Sequence, residues 1–160
     1  MAVRGKIKTQ GMVELPNKSL IKRTIVASII QTERSYSLLG GNGRQIHFTE
    51  LTGEKGKTPE DVELISTEIY EADKNDPMLS LGAGCYVRCS AIEAIENHGG
   101  SDFSGLIIRG VKDIIIGYLS IADYGKRIQV AEMLGDSIKS YENGNFSQAE
   151  FTSLKAEIHE

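Results

Sequence analysis

Two short apolar runs separated by a charged segment constrain the fold of this chain more than any other feature. Residues 106–108 and 114–116 are leucine and isoleucine, and residues 109–113 lie between them. Short apolar runs bounded by turn residues are typical of buried β-strands. The stretch therefore predicts either two strands joined by a turn or one strand that leaves its sheet near Gly110.

Length and composition limit the number of domains. The chain has 160 residues, of which 40% are hydrophobic and 25% are charged. This is enough for one hydrophobic core, whereas two independent cores would be small. We therefore expect a single layer-packed α/β domain over residues 1–160, in which a central mixed sheet is flanked by helices. No internal repeat is evident in the sequence.

The first part of the chain predicts an arm, a helix and a hairpin. Residues 1–16 alternate loosely between apolar and polar side chains, as in an edge strand or an extended N-terminal arm. Apolar residues recur with helical spacing over residues 20–31, although the β-branched side chains at 24–30 also permit a strand. Residues 35–39 and 45–51 flank a Gly-Gly-Asn-Gly turn and predict a β-hairpin.

The remainder predicts four helical segments. Thr58, followed by a proline and two acids, is typical of a helix start, and this helix should end before Pro77. Apolar periodicity predicts longer helices over residues 79–97 and 124–143. A capping-box pattern at Ser-Gln-Ala-Glu predicts a short C-terminal helix within residues 145–160.

The charge balance argues against a nucleic-acid partner. The chain has 18 basic and 22 acidic residues and a net charge of −4, so it carries no overall basic footprint. No stretch is apolar enough to predict a membrane span, and the N terminus lacks an apolar signal core. We therefore expect a soluble, cytoplasmic protein that binds neither nucleic acid nor membrane.

The cysteines and histidines do not predict a metal site. Cys85 and Cys89 lie four residues apart within the predicted helix 79–97, where regular geometry does not favour a disulfide, so reduced thiols are expected. The three histidines are scattered and form no cluster with ligand spacing. Neither a metal nor another cofactor is predicted.

The charged residues between the two apolar runs are the candidate site. Arg109, Lys112 and Asp113 adjoin predicted core strands, where a charge must reach solvent or be paired. Ligands commonly bind at the ends of strands in open α/β sheets. These three side chains therefore mark either the rim of a binding site or the exposed bend of a hairpin.

Residues 84–97 are rich in small side chains, a His-Gly-Gly link follows at 98–100, and the run Phe-Ser-Gly-Leu-Ile-Ile-Arg-Gly-Val-Lys-Asp occupies 103–113. With these features, residues 84–141 resemble the C-terminal part of the nucleoside phosphorylase and nucleosidase superfamily. The resemblance implies recognition of a purine nucleoside, with Asp113 as the catalytic residue at the base and Arg109 as the arginine that supports the strand end. Lys112 stands where the family usually has a serine, and we expect Arg109 and Lys112 to be the ligand-binding residues. It leaves open whether the chain is an enzyme or binds its ligand without turnover.

The predicted order of elements is also similar to the Roadblock and longin-like interaction modules. That order is a helix, a hairpin, a second helix, two strands and an amphipathic helix from Gly125. These families are small dimerising α/β platforms without an active site. The second resemblance therefore implies a non-catalytic module that forms a homo-oligomer or binds a protein partner, and element order alone does not decide between the two functions.

Overall fold

The computed structural model describes residues 11–70, 75–82 and 84–147, which form ten β-strands and two α-helices. The elements are β1 Met12–Glu14, β2 Leu20–Lys22, β3 Ser28–Gln31, β4 Ser35–Leu39, β5 Gln45–Glu50, α1 Pro59–Tyr70, β6 Met78–Gly82, β7 Cys85–Arg88, β8 Ala94–Gly99, β9 Ser104–Arg109, β10 Ile115–Ser120 and α2 Tyr124–Glu142. Single 3₁₀ turns follow β2, β7 and β9, at Arg23–Ile25, Cys89–Ala91 and Val111–Asp113. No helix among these residues is both long and apolar enough to cross a membrane.

The strands form three separate sheets and not one central sheet. The largest has the order β5-β4-β3-β7-β6, the second has the order β10-β9-β8, and β1 pairs only with β2. Neighbouring strands are antiparallel in each sheet. Helices and strands are both present, as the predicted α/β class requires, but the predicted arrangement of one sheet between helices is replaced by meanders and hairpins.

The same order of elements occurs twice along the chain. Residues 11–70, the first unit, form a hairpin, a 3₁₀ turn, a three-stranded meander and a helix, and residues 75–142, the second unit, do the same. The hairpin registers correspond, with Met12 opposite Lys22 in the first unit and Met78 opposite Arg88 in the second. The structure therefore contains a topological repeat that the sequence analysis did not find.

Backbone hydrogen bonds repeat together with the strands. At the start of each meander, Ala27 N donates to Leu39 O at 2.8 Å, and Glu93 N donates to Arg109 O at 2.8 Å. The meander registers also agree, since Tyr36 opposite Thr49 has its counterpart in Leu106 opposite Leu119, and both β4–β5 and β9–β10 contain an irregularity near the same turn. The equivalence thus extends to individual residue pairs.

Two of the predicted helices are wrong, and the alternative of a strand within 24–30 is confirmed in part by β3. Residues 20–31 form β2, a 3₁₀ turn and β3, and residues 79–97 form most of β6, β7, a second 3₁₀ turn and most of β8. In both segments β-branched or small residues disfavour a continuous helix, and strand pairing buries the same apolar side chains. Gly82 and Gly84 have positive φ at the β6–β7 turn, which a helix interior does not allow. Consequently Cys85 lies in β7 and Cys89 in the 3₁₀ turn, both as free thiols.

The other element predictions are largely confirmed. The hairpin at 35–51 is β4 and β5, and the two apolar runs of the opening stretch fall in β9 and at the start of β10. Helix α1 begins after Thr58, whose hydroxyl accepts a hydrogen bond from Asp61 N at 3.1 Å. Helix α2 matches the prediction for 124–143 closely. The predicted arm at 1–16 and the C-terminal helix at 145–160 fall mostly outside the described residues, although β1 contributes Val13 to the core.

Each unit has its own buried apolar cluster. The first cluster combines β1, β3, β4 and α1, with the members Val13, Leu15, Val26, Ile29, Tyr36, Leu38, Val62, Ile65, Ile69 and, from β6, Met78. The second combines β6, β7, β9, β10 and α2, with the members Leu79, Leu81, Val87, Cys89, Leu106, Ile108, Ile116, Leu119, Ile121, Val130 and Leu134. Because β6 contributes to both clusters, the hairpin of the second unit joins the two cores.

Candidate functional site

The residues predicted to form the site lie at a turn between two antiparallel strands. Arg109 ends β9, and Lys112 and Asp113 occupy the 3₁₀ turn that leads to β10. Lys112 and Asp113 have φ of 54° and 66°, and the Asp113 side chain is 80% exposed. Positive φ in two consecutive non-glycine residues is a feature of a tight turn. The geometry is therefore that of an exposed hairpin bend, one of the two alternatives predicted for this segment.

Arg109 is held by local partners on both sides. Its Nε donates to Glu96 Oε1 at 2.7 Å, and its Nη1 donates to the backbone oxygen of Asp113 at 2.9 Å. His98 Nδ1 lies 3.3 Å from the other Glu96 oxygen. The hydrogen bond from Arg109, assisted by the contact with His98, lowers the pKa of Glu96, and the same bond with Glu96 raises the pKa of Arg109. Both groups therefore remain charged around neutral pH, as an ion pair that closes one end of the β8–β9 ladder.

Three surface clefts lie elsewhere on the molecule. An open cleft of about 450 Å³ is lined in part by Phe103, Asp123 and Lys126 at the start of α2. Two others lie beside Tyr86 and beside His47. Arg109, Lys112 and Asp113 line none of these three clefts. Among the described residues, no three His, Cys, Asp or Glu side chains are close enough together to hold a metal ion.

The outer edge of β8 distinguishes the second unit from the first. In the first unit the equivalent strand β3 lies between β4 and β7, and both Ser28 and Ile29 have 0% exposure. In the second unit β8 pairs with β9 on one side and ends the sheet on the other, so Ala94 is exposed and Ile95 is half-buried. An edge strand presents backbone donors and acceptors to which another strand can pair. The outer edge of β8 therefore lacks the neighbouring strand that its equivalent, β3, has in β7.

The covering strand of the first unit is fastened by one buried arginine. Arg88, at the end of β7, is 5% exposed, and its side chain donates to Val26 O, Arg23 O and Asp76 O at 2.8 Å each. Three charge-assisted hydrogen bonds compensate the cost of burying the guanidinium. This arrangement shows how the protein joins a hairpin from one unit to the first strand of a meander in the other.

In the part of the chain that the structure describes, the hairpin near the N terminus pairs with no further strand. β2 is equivalent to β7, yet within the described residues it pairs with β1 alone, and Leu20 is 40% exposed. Several strands end a sheet in the described structure, but among them only β8 and β2 have equivalents in the other unit with neighbours on both sides. Their equivalents β3 and β7 are paired with each other.

Sequence reasoning missed both β2 and β8 because each was assigned to a helix. A usable signal was present in the parallel between Met12-Val-Glu-Leu15 and Met78-Leu-Ser-Leu81, each followed at the same distance by a basic residue, Lys22 or Arg88. That parallel is short and of low identity. It gains weight only when the two segments are seen to adopt the same hairpin.

Comparison with known proteins adds no further constraint. No protein-family model, no curated protein and no solved structure matches this chain. The resemblances to nucleoside phosphorylases and to Roadblock and longin-like modules therefore stay predictions.

Proposed function

We propose that this protein is a non-catalytic assembly module that acts through the pairing of β-strands at sheet edges. The observation that carries the proposal is the exposed edge of β8, which is equivalent to the covered strand β3 of the first unit. Strand addition at a free edge is a common mode of protein recognition, because backbone hydrogen bonds supply affinity and alternate side chains supply specificity. The function that follows is to build an oligomer or to hold a protein partner.

The distribution of charged groups also supports a binding role over catalysis. The charged residues at the β9–β10 bend make an ion pair and a turn contact with one another and with Glu96, and Asp113 points mainly to solvent. A general acid or base needs a position beside a pocket where substrate can be held. Nucleoside recognition through Asp113 stays the alternative hypothesis, and no geometric feature of the bend favours it.

Sedimentation equilibrium of the full chain tests the proposal. We expect species whose mass is a multiple of 17.5 kDa, in proportions that rise with concentration and do not change in Asp113→Ala. As a parallel test of the alternative, calorimetric titration with purine nucleosides should give no heat that depends on Asp113. A strict monomer at all concentrations would contradict the assembly function, and binding heat abolished by Asp113→Ala would favour the nucleoside hypothesis instead.

A further inference from the structure

We propose that the exposed edge of β8 receives strand β2 from a second copy of this chain, in the register that joins β3 to β7 within one chain. This inference rests on the proposed assembly function, since it names the partner and the contact. The two units provide both halves of the contact, one already paired inside the chain and one not. A second copy of the chain is therefore the occupant for which a template exists in the structure.

The internal contact defines the register of the external one. Within the chain, Ser28 lies opposite Val87 and Ile29 opposite Tyr86. Replacing each residue by its equivalent in the other unit places Ala94 opposite Ile21 and Ile95 opposite Leu20. These pairs follow from the equivalence of the strands alone, so the register between β2 and β8 is fixed without any further assumption.

The next pair along the strands introduces a charge interaction. Arg88 N donates to Ala27 O at 2.7 Å, which places these two residues opposite each other. Their equivalents are Lys22 and Glu93, so the proposed register brings a lysine and a glutamate directly together. Opposite charges in a cross-strand pair stabilise the ladder, while like charges destabilise it. This complementarity is an independent check, because the equivalence was established from backbone pairing and not from charge.

The apolar side chains of the contact also agree with the register. Leu20 and Ile21 face Ile95 and Ala94, so aliphatic groups that are exposed or half-buried in one copy cover one another in the pair. Burial of such groups is the main favourable contribution to association. Lys22 occupies the position in β2 that Arg88 occupies in β7. A lysine ammonium is a single point charge, whereas the arginine guanidinium offers several donors in a fixed geometry. We therefore expect the contact between copies to be weaker than the contact inside the chain.

Within one chain, the β1–β2 hairpin and β8 belong to different sheets and lie beside different buried clusters. β1 packs against α1, and Val13 and Leu15 are part of the first buried cluster. β8 belongs to a different sheet, and its half-buried Ile95 packs against the second cluster. Since β2 and β8 are different surfaces, copies join either reciprocally in pairs or head to tail in larger assemblies.

Disulfide trapping tests the register. Because Arg88 N bonds to Ala27 O, alternation makes the next pair, Ser28 and Val87, a non-hydrogen-bonded pair, whose side chains are the closest. The equivalent double variant Ile21→Cys/Ala94→Cys should form disulfides between chains under mild oxidation. The control Ile21→Cys/Ile95→Cys places the second thiol on the opposite face of β8 and should remain at the level of the single-cysteine variants.

The native thiols should not interfere with this experiment. Burial raises the pKa of Cys85, and it raises the pKa of Cys89 to about 12. Thiols in this state are largely protonated at neutral pH and react slowly. Mass spectrometry of the oxidised digest identifies which cysteines are joined and distinguishes a disulfide between chains from one within a chain.

Charge reversal provides a second test that needs no covalent bond. Lys22→Glu and Glu93→Lys should each weaken self-association about tenfold, because each creates a like-charged cross-strand pair. The double reversal should restore association to near the parent value. Both residues are exposed, so the urea midpoint of each variant at low concentration serves as the control for folding.

Each outcome has a defined meaning. Trapping between chains together with rescue by the double reversal supports the proposal. Assembly that is insensitive to both reversals and untrapped by Ile21→Cys/Ala94→Cys overturns this contact but leaves the assembly function standing. A disulfide within one chain overturns the role of a second copy, and a chain that is monomeric at all concentrations overturns this inference and the proposed function together.

Discussion

The two units of this protein differ most at one strand. β3 and β8 begin three-stranded meanders of the same register, yet β3 is covered by β7 and β8 has no neighbour on its outer side within the described residues. Ser28 and Ile29 of the covered strand are buried, whereas their equivalents in β8 are an exposed alanine and a half-buried isoleucine. The fold therefore covers one of its two equivalent edges with a hairpin strand, β7, that is held in place by the basic side chain of Arg88.

The largest expected effect concerns the arginine that fastens the covered edge. Arg88→Met should lower the free energy of unfolding by about 3 kcal/mol, because three carbonyl oxygens lose a charged donor in a mostly buried position. The matched control is Lys22→Met at the equivalent position of the first unit, for which we expect less than about 0.5 kcal/mol in the monomer. Urea unfolding at low concentration measures both. Equal losses of unfolding free energy in the two variants would mean that Arg88 stabilises the fold no more than Lys22 does.

A smaller effect is expected for a hydrogen bond that only the first unit has. Tyr36 is buried, and its hydroxyl lies 2.8 Å from Ser66 Oγ, whereas the equivalent residue in the second unit is Leu106. Tyr36→Phe should lower the free energy of unfolding by about 1.5 kcal/mol, since it leaves the Ser66 hydroxyl without its partner. The double variant Tyr36→Phe/Ser66→Ala should recover part of this loss. A double variant less stable than the single one would show that the two hydroxyls are not coupled in this way.

The same tyrosine predicts a response to alkaline pH. Burial raises the pKa of Tyr36 in the folded protein, although the Ser66 hydrogen bond opposes the shift. The neutral phenol is therefore favoured by folding, and its contribution is fully present below the unfolded pKa of about 10 and decreases as pH rises above it. The pH dependence of the urea midpoint should be flatter in Tyr36→Phe than in the parent above this pH. An unchanged slope would contradict a buried Tyr36.

The turns of the two units differ in a way that a single substitution can test. Asp113 has φ of 66°, and Gly43 occupies the equivalent position in the β4–β5 turn with φ of 81°. Asp113→Gly should stabilise the protein by about 0.5 kcal/mol, because glycine adopts positive φ without a side-chain penalty. Asp113→Ala removes the same carboxylate but keeps the strain, so it should bring no gain. A loss in Asp113→Gly equal to that in Asp113→Ala would indicate that the carboxylate itself contributes to the structure.

The smallest effect is expected from the ion pair of the second unit. The equivalents of Glu96 and Arg109 in the first unit are the apolar residues Ile30 and Leu39. Because the folded pKa of Glu96 is lowered, its contribution to stability is present above the unfolded value near 4.5 and is lost as pH falls through the folded pKa. Glu96→Gln should therefore reduce the difference in urea midpoint between neutral and acidic pH. If the urea midpoint of Glu96→Gln changes between neutral and acidic pH as much as that of the parent, the solvated ion pair does not contribute to stability.

The sequence was sufficient for elements whose local signals agree with their tertiary environment. Thr58 and the acids after it specify the start of α1, the glycine-rich turn specifies the β4–β5 hairpin, and the isoleucine runs specify β9 and β10. It was insufficient for residues 20–31 and 79–97, where apolar spacing mimicked a helix. Their strand conformation depends on pairing with β1, β4, β7 and β9. Such pairing is a tertiary interaction, and the local spacing of apolar residues does not reveal it.

The candidate site was less predictable than the fold. The charges at 109–113 stand out in the sequence, but their neighbour Glu96 was assigned to a helix, so the ion pair that holds Arg109 was not foreseen. The edge of β8 carries no rare residue type and becomes visible only by comparison with β3. Sites defined by an unpaired backbone leave little trace in side-chain patterns.

Hydrogen exchange at two equivalent amides tests the central claim most directly. The Arg88 bond to Ala27 O and the alternation of the ladder direct the Ile29 amide toward β7 and, by equivalence, the Ile95 amide toward the free edge. We expect the Ile29 amide to be protected at every protein concentration, while the Ile95 amide exchanges quickly in dilute solution and becomes protected as concentration rises. Protection of Ile95 that is independent of concentration, or its absence at all concentrations, would mean that the edge of β8 does not pair with a second copy.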